Sequence, residues 1–394
     1  MKKLLILILA LSLMTVSVYA TGTRTMTMGN NGNVLVDDAN QFSFYGRTFN
    51  YPNIAVGEFE ASDDFTSFGI NWKFGTDKPW VLGTYFSTES AVNPDDFFGS
   101  ATPAMFSWDH GLEPNRRIAL LYGRELGSFN FGFGFDYVSS SWQSEDPTDP
   151  ADQSEEAFST MGFGIGLTDT KGKWDIAVDI GLGSLTDKAA DGALDTDKDS
   201  WTDFGFRGRY FYEYNPNITF VPHAEGAFGT HSVVYPVVPA DDNTEWKSTK
   251  TAFEFGVGMN VTPANNVLAV LDFGVQSQTL KNEFTDPNAD PTVDVKKETM
   301  TTLPFWKIGM EADVFKWLDI RMGATSDWES IKDEGVDKTS RASNDTYLGF
   351  GFHFGRLHID TYTDPEVFLN GFDFISGDGD GDMNMYISAL YEMF

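Results

Sequence analysis

Apolar and polar residues alternate along most of this chain in runs of about ten, each closed by a turn. The clearest run is Phe129-Asn130-Phe131-Gly132-Phe133-Gly134-Phe135-Asp136-Tyr137, where odd positions are aromatic and even ones small or polar. A strand sends successive side chains to opposite faces, so this one has an aromatic face and a polar, nearly bare face. Met161, Phe163, Ile165 and Leu167 repeat the pattern with glycines between them. Trp174, Ile176, Val178, Ile180 and Leu182 repeat it with Asp175 and Asp179 opposite. Runs of the same kind cover Phe68 to Phe74, Trp80 to Phe86, Ile118 to Tyr122, Phe204 to Tyr214 and Ile218 to Pro222. They continue over Phe253 to Val261, Val267 to Val275, Trp306 to Val314, Leu318 to Ala324, Leu348 to Phe354, Leu357 to Thr361 and Met383 to Phe394. With the shorter run Asn53 to Phe59, the pattern predicts an all-β chain of about 16 antiparallel strands, with about 14 as the alternative. Connections alternate in length. Short turns fall near residues 76, 127, 171, 216, 264, 315 and 355, and long polar segments lie between them.

The first residues change the expected solvent. Met1-Lys2-Lys3 is basic, Leu4 to Val18 is apolar, and Val18-Tyr19-Ala20 places small residues where a signal peptidase reads them. This predicts a signal peptide over 1–20, because the apolar run is shorter than the ~20 residues of a membrane-spanning helix. The 394 residues contain no cysteine, so neither a disulfide nor a lipoprotein attachment site is expected. No later stretch is long and apolar enough for a helical span. A chain with strands alone crosses a bilayer only as a closed barrel, since its backbone groups find no water there. The composition agrees, with 35 Phe, 14 Tyr, 10 Trp and 38 Gly.

Signal, aromatic hairpins, alternating loop lengths and the terminal Phe394 resemble Gram-negative outer-membrane β-barrel proteins of the porin-like kind. The resemblance implies an outer-membrane location, contact with membrane lipid and lipopolysaccharide, short periplasmic turns, long acidic outer loops, and assembly by the barrel-assembly machinery. In that class the last strand alternates apolar residues up to a final Phe. Leu390 and Phe394 follow the pattern and Glu392 departs from it, while Met385, Ile387, Ala389, Tyr391 and Met393 form the more apolar face; a bulge near the end would reconcile the two registers. Residues 21–52 precede the barrel of 53–394. In position and length they are similar to the N-terminal hatch of the long-chain fatty-acid transporter family, which implies a lumen plug. That family's Asn-Pro-Ala signature is not matched by Asn50-Tyr51-Pro52-Asn53. Met26, Met28, Val34, Leu35 and Phe42 give the segment apolar residues that a free tail does not need.

The net charge of −31 becomes −33 once Lys2 and Lys3 leave with the signal. The polar faces carry Asp136, Asp175, Asp179, Asp203, Glu213, Glu225, Glu254, Asp272, Glu311, Asp313, Asp319, Asp327 and Asp360 against Lys73, Arg207, Arg209, Lys307 and Arg321. An acidic lumen selects cations. Nucleic acid is excluded as a partner, because phosphate contact needs clustered Lys and Arg. The run Glu145 to Glu156 is strongly acidic and suits divalent ions at an outer surface.

Local motifs are few. Asp378, Asp380 and Asp382 alternate with glycine and offer hard oxygen ligands for Ca²⁺ at an outer loop, although Met383 and Ala389 depart from the EF-hand pattern. No other cofactor is expected. The histidines His110, His223, His231, His353 and His358 have no zinc-ligand spacing, although His353 and His358 flank one short turn. His223 and Glu225 share a face, but no catalytic motif accompanies them, so an enzyme is not expected. Bare glycine faces at Gly132, Gly134, Gly162, Gly164, Gly166, Gly256 and Gly258 leave interior space. The expected function is an outer-membrane channel for diffusion or uptake of small solutes, cation-preferring. The alternative is a structural or surface-interaction barrel with a filled lumen and ion-binding acidic loops.

Overall fold

The computed structural model describes residues 22–60, 66–88, 116–146, 149–188, 198–235, 244–285, 293–333, 339–363 and 385–393. After helix α1 (Gly22–Thr27), α2 (Asn40–Ser43) and a 3-10 turn (Tyr45–Asn50) come β1 (Ile54–Glu60), β2 (Thr66–Phe74), β3 (Trp80–Thr88), β4 (Arg116–Leu126), β5 (Phe129–Asp146) and β6 (Asp149–Asp169). They are followed by β7 (Trp174–Lys188), β8 (Lys198–Tyr210), β9 (Tyr212–Asn215), β10 (Ile218–Tyr235), β11 (Thr244–Ala264) and β12 (Val267–Thr285). The last are β13 (Val293–Phe315), β14 (Leu318–Asp333), β15 (Thr339–Phe354), β16 (Leu357–Thr363) and β17 (Met385–Glu392). β8 and β9 are one wall strand broken at Phe211, and both pair with β10, so the 17 strands form a closed barrel of 16 staves. Every ladder is antiparallel between neighbours in sequence, and β17 returns to pair with β1, Glu392 opposite Ile54. β1 in turn packs beside β2.

The period-two pattern has one placement. Large apolar side chains such as Phe86, Ile165, Val178, Phe255, Phe273 and Met322 are exposed on the outside, while Asn71, Asp136, Asp175, Arg207, Glu254 and Arg321 are buried inside. The outward apolar band ends on the same kind of residue on each long strand: Ser139, Ser159, Ser184, Thr202, Thr230, Thr251, Ser277, Thr301, Ser326 and Thr346. On β12 the band runs from Val267 to Val275. At about 3.3 Å per residue and a tilt near 40°, that is roughly 23 Å, close to the apolar height of an outer-membrane barrel. Stacked aromatic pairs mark the turn end, Phe74 on Trp80 at 4.4 Å and Phe315 on Trp317 at 5.7 Å. The described chain therefore reads as a transmembrane barrel of the outer-membrane type.

The strands outrun the expected segments. β5 and β6 continue through the acidic run to Asp146 and Asp149, and β11 to β15 extend well above the Ser/Thr row. The sequence of these extensions is polar at both parities, which reads as loop. Above the membrane water can solvate both faces while the backbone ladder continues, so the hairpins rise as a stem. The last strand turns the face of Ile387, Ala389 and Tyr391 outward, the more apolar of its two faces. No bulge interrupts its ladder to β16 or β1. Leu390 faces inward with the fully buried Ser388, and Tyr391 and Glu392 are exposed.

Part of the interior is occupied by the chain itself. Residues 22–50 lie against the bare glycine positions, whose missing side chains let backbone approach. A Cβ on Gly132 would stand 1.8 Å from the Tyr45 carbonyl oxygen, and one on Gly309 would stand 2.3 Å from that of Met28. The Tyr45 ring covers Gly134 and Gly164, and Val34 covers Gly258. The glycines thus receive the segment, where the sequence suggested open space. Two apolar clusters fix it, one around Phe42, Phe44, Tyr45, Val56, Tyr85 and Leu121, the other around Met28, Val34, Leu35, Val221 and Val270.

Candidate functional site

The candidate site is the polar lining of the barrel together with the segment packed on it. Its centre is Asp175 on β7, fully buried. Arg209, directly opposite it on β8, donates to it through Nε at 2.7 Å. Arg47 from the 3-10 turn donates through Nε and Nη2 at 2.9 and 2.7 Å, and Thr168 adds its hydroxyl at 2.8 Å. Arg209 also donates to the carbonyls of Gly32, Asn33 and Leu35 and to Asn40 Oδ1, at 2.8 to 3.2 Å. Its guanidinium lies 4.3 Å from the Phe44 ring centre and 5.1 Å from that of Phe211. One wall arginine therefore holds both the turn at residues 32–35 and the second helix of the N-terminal segment. Removing one member of such a buried ion cluster typically costs about 3–5 kcal/mol, because the remaining charge is stranded.

A second cluster holds the start of the segment. Arg24 makes a two-pronged contact with Glu311, both at 2.8 Å, and reaches Asp37 at 3.2 Å. Glu311 also accepts from Arg321 on β14 at 2.5 Å, and Arg321 bonds Asp360 and, at 3.4 Å, Asp319. A third contact is uncharged. Gln41 donates to the Tyr85 hydroxyl at 3.1 Å, Tyr85 to Asn71 at 2.7 Å, and Asn71 back to Gln41 at 2.7 Å, a closed ring of buried hydrogen bonds.

The remaining sequence-selected residues take these places. Arg207 pairs with Asp179 at 3.1 Å, and Asp136 with Arg117 at 3.4 Å. Glu225 and Glu254 stand directly opposite on β10 and β11, both buried, and Asn33 donates to Glu254 at 3.3 Å. Asp272 bonds His223 at 2.9 Å across Gly256, where a Cβ would meet the imidazole at 2.3 Å. Glu213 lies at the turn end and is exposed. Asp378, Asp380 and Asp382 lie outside the described residues. Among the described residues, no three His, Asp or Glu form a ready metal centre.

Sequence reasoning missed Arg24, Arg47 and Arg117 as partners of the lumen acids. The acidic excess was a signal that bases must come from outside the strand pattern. The N-terminal segment holds Arg24 and Arg47, but alternation says nothing about a segment that is not a strand.

No family model matches this chain, and no curated protein matches it. Among solved structures it is similar to the toluene transporter TodX of Pseudomonas putida, at 10% identity and a TM-score of 0.41, covering 96% of this chain and 100% of that one. It is also similar to the toluene transporter TbuX of Ralstonia pickettii, at 10% and 0.41 with 95% and 99% covered. A third is CdiB from Escherichia coli, at 10% and 0.42 with 86% and 63% covered. The fold assignment stands on the ladders and the lipid-facing band of this chain itself.

Proposed function

We propose that this barrel is an outer-membrane channel for small solutes, held closed by its N-terminal segment (residues 21–52), and that its lining favours cations once open. The observation that carries this reading is the docking of residues 22–50 through Arg209, Asp175 and Glu311. These contacts are ion pairs and hydrogen bonds, which water can replace. Beneath it the wall keeps an acidic lining. The segment brings two bases and two acids, Arg24, Arg47, Asp37 and Asp38, so its departure leaves the wall's acidic excess in place.

The test is single-channel recording of the intact barrel and of a deletion of residues 22–49 that keeps the signal. The deletion is expected to raise conductance several-fold. An assembled deletion barrel that conducts no more than the intact one would overturn the reading. It would favour the second one, a filled barrel whose stem and acidic outer segments do the work. The packed interior is the observation on that side.

A further inference from the structure

Across β8, β10 and β11 the inner wall carries one row of charge. Arg207 stands directly opposite Glu225, and Glu225 directly opposite Glu254. All three are buried, at 3%, 3% and 7% exposure. Side chains placed in this way have Cβ atoms about 5 Å apart, close enough to pair. Among the described residues, however, the one ion-pair partner of Arg207 is Asp179 on its other side, at 3.1 Å. Arg207 Nε and Nη1 have no hydrogen-bond partner, and neither has Glu225 Oε2. Two residues away on β10, His223 bonds Asp272 through Nε2, while His223 Nδ1 and Asp272 Oδ2 are likewise without hydrogen-bond partners.

Buried polar atoms are nearly always paired, so unpaired charged atoms of both signs on one patch point to a partner from outside the wall. The N-terminal segment is not that partner. It covers the patch mostly with carbon. Val34 lies over Gly258, directly opposite Asp272, and the Tyr45 ring lies over Gly164, directly opposite Asp179. Among the described residues, its hydrogen bond to these acids runs from Asn33 to Glu254, at 3.3 Å. Once the segment leaves, the unpaired atoms line the lumen. A bare cation would then meet the Arg207 guanidinium, and a bare anion would meet Glu225, Glu254 and Asp272. A small molecule carrying both charges satisfies both sides. Its carboxylate accepts from Arg207, whose planar guanidinium suits that group, and its ammonium donates to the acids.

We infer that Arg207, Glu225 and Glu254 form a subsite of the open lumen for small zwitterions of the α-amino acid kind, Arg207 taking the carboxylate and the glutamates the ammonium. This rests on the channel reading above and adds a solute class to it. It also sets the lumen apart from a plain cation filter, in which Arg207 would have no part.

The test reconstitutes the full barrel, and the barrel lacking residues 22–49, in liposomes. Uptake is compared for four solutes of one size at about pH 6: alanine, alaninamide, lactate and lactamide, which are zwitterion, cation, anion and neutral molecule. Heat-modifiable gel mobility checks assembly. Alanine is expected to enter the deletion barrel about tenfold faster than lactamide, roughly the worth of one charge-assisted hydrogen bond, and faster than either ion. Arg207→Gln should lower the ratio of alanine to alaninamide about tenfold, and Glu225→Gln the ratio of alanine to lactate by as much. Where Arg207→Gln strands Asp179 and prevents assembly, Arg207→Gln combined with Asp179→Asn takes its place. Alanine entering no faster than lactamide, or ratios that neither variant changes, would overturn the subsite and leave the channel standing. So would alaninamide entering fastest, the lumen then being a simple cation filter. Uptake of none of the four by either assembled barrel, measured against empty liposomes, would overturn the channel reading and the subsite with it.

Discussion

At the scale of single residues, neighbouring positions on one strand have opposite tasks. Phe133 faces outward and Gly134 inward, where the Tyr45 ring covers it. Arginine at Phe133 is expected to lower barrel stability by about 2–4 kcal/mol, since a charge at mid-band meets hydrocarbon. Arginine at Gly134 should cost the barrel much less. A Cβ there would already stand 2.4 Å from the Tyr45 ring, so this variant should expel the ring and loosen the N-terminal segment. Denaturant unfolding in lipid gives the first effect, and protease sensitivity of residues 22–50 in the folded barrel gives the second. Equal stability losses at the two positions would contradict the assignment of faces.

At the scale of elements, the short helices of the N-terminal segment cannot hold themselves. α2 is one turn long, and isolated helices of that length are unstable in water. The segment's conformation is imposed by the wall, chiefly by Arg209 on its carbonyls. Arg209→Ala is therefore expected to leave Asp175 with Arg47 as its one arginine, beside the Thr168 hydroxyl, and to release the backbone of residues 32–40. Hydrogen exchange there should rise by an order of magnitude or more, with little change in the strand amides of β11 to β13. Uniformly faster exchange over segment and strands would mean that the segment and the barrel unfold together. β-strands show the opposite logic. Each needs only a neighbour's backbone, so the polar stem continues above the membrane band without an apolar face.

At the scale of the whole molecule, charge decides the expected selectivity. The interior bases are mostly engaged with acids, as Arg207 is with Asp179 and Arg321 with Glu311, Asp319 and Asp360. Among the described residues, Glu225, Glu254 and Asp272 have only His223 and Asn33 as direct polar partners across their patch of the wall. A conducting state should therefore favour cations. In a salt gradient across a planar bilayer, the reversal potential of the barrel lacking residues 22–49 should carry the cation-selective sign. An anion-selective sign would contradict the charge argument while leaving the channel reading intact.

The sequence by itself determined the fold class, a count of about 16 wall strands and the face presented by residues of the alternating membrane runs. A period-two pattern with phenylalanine on one side has one stable placement in lipid, and a strand that slips by a single residue would turn every aromatic inward. It also marked Asp175, Arg209, Glu311 and Arg321 as lining residues, because parity alone assigns them. Alternation assigns a face and not a neighbour. Arg47 and Asp175 are 128 residues apart and Arg24 and Glu311 are 287 apart, so only closure of the barrel brings each pair together. The same holds for His353, whose partner across the turn was legible, while Asp319 arrives from β14. The bare glycines were visible as a pattern, but what occupies them depends on where residues 22–50 fold, and their packing is set by the wall.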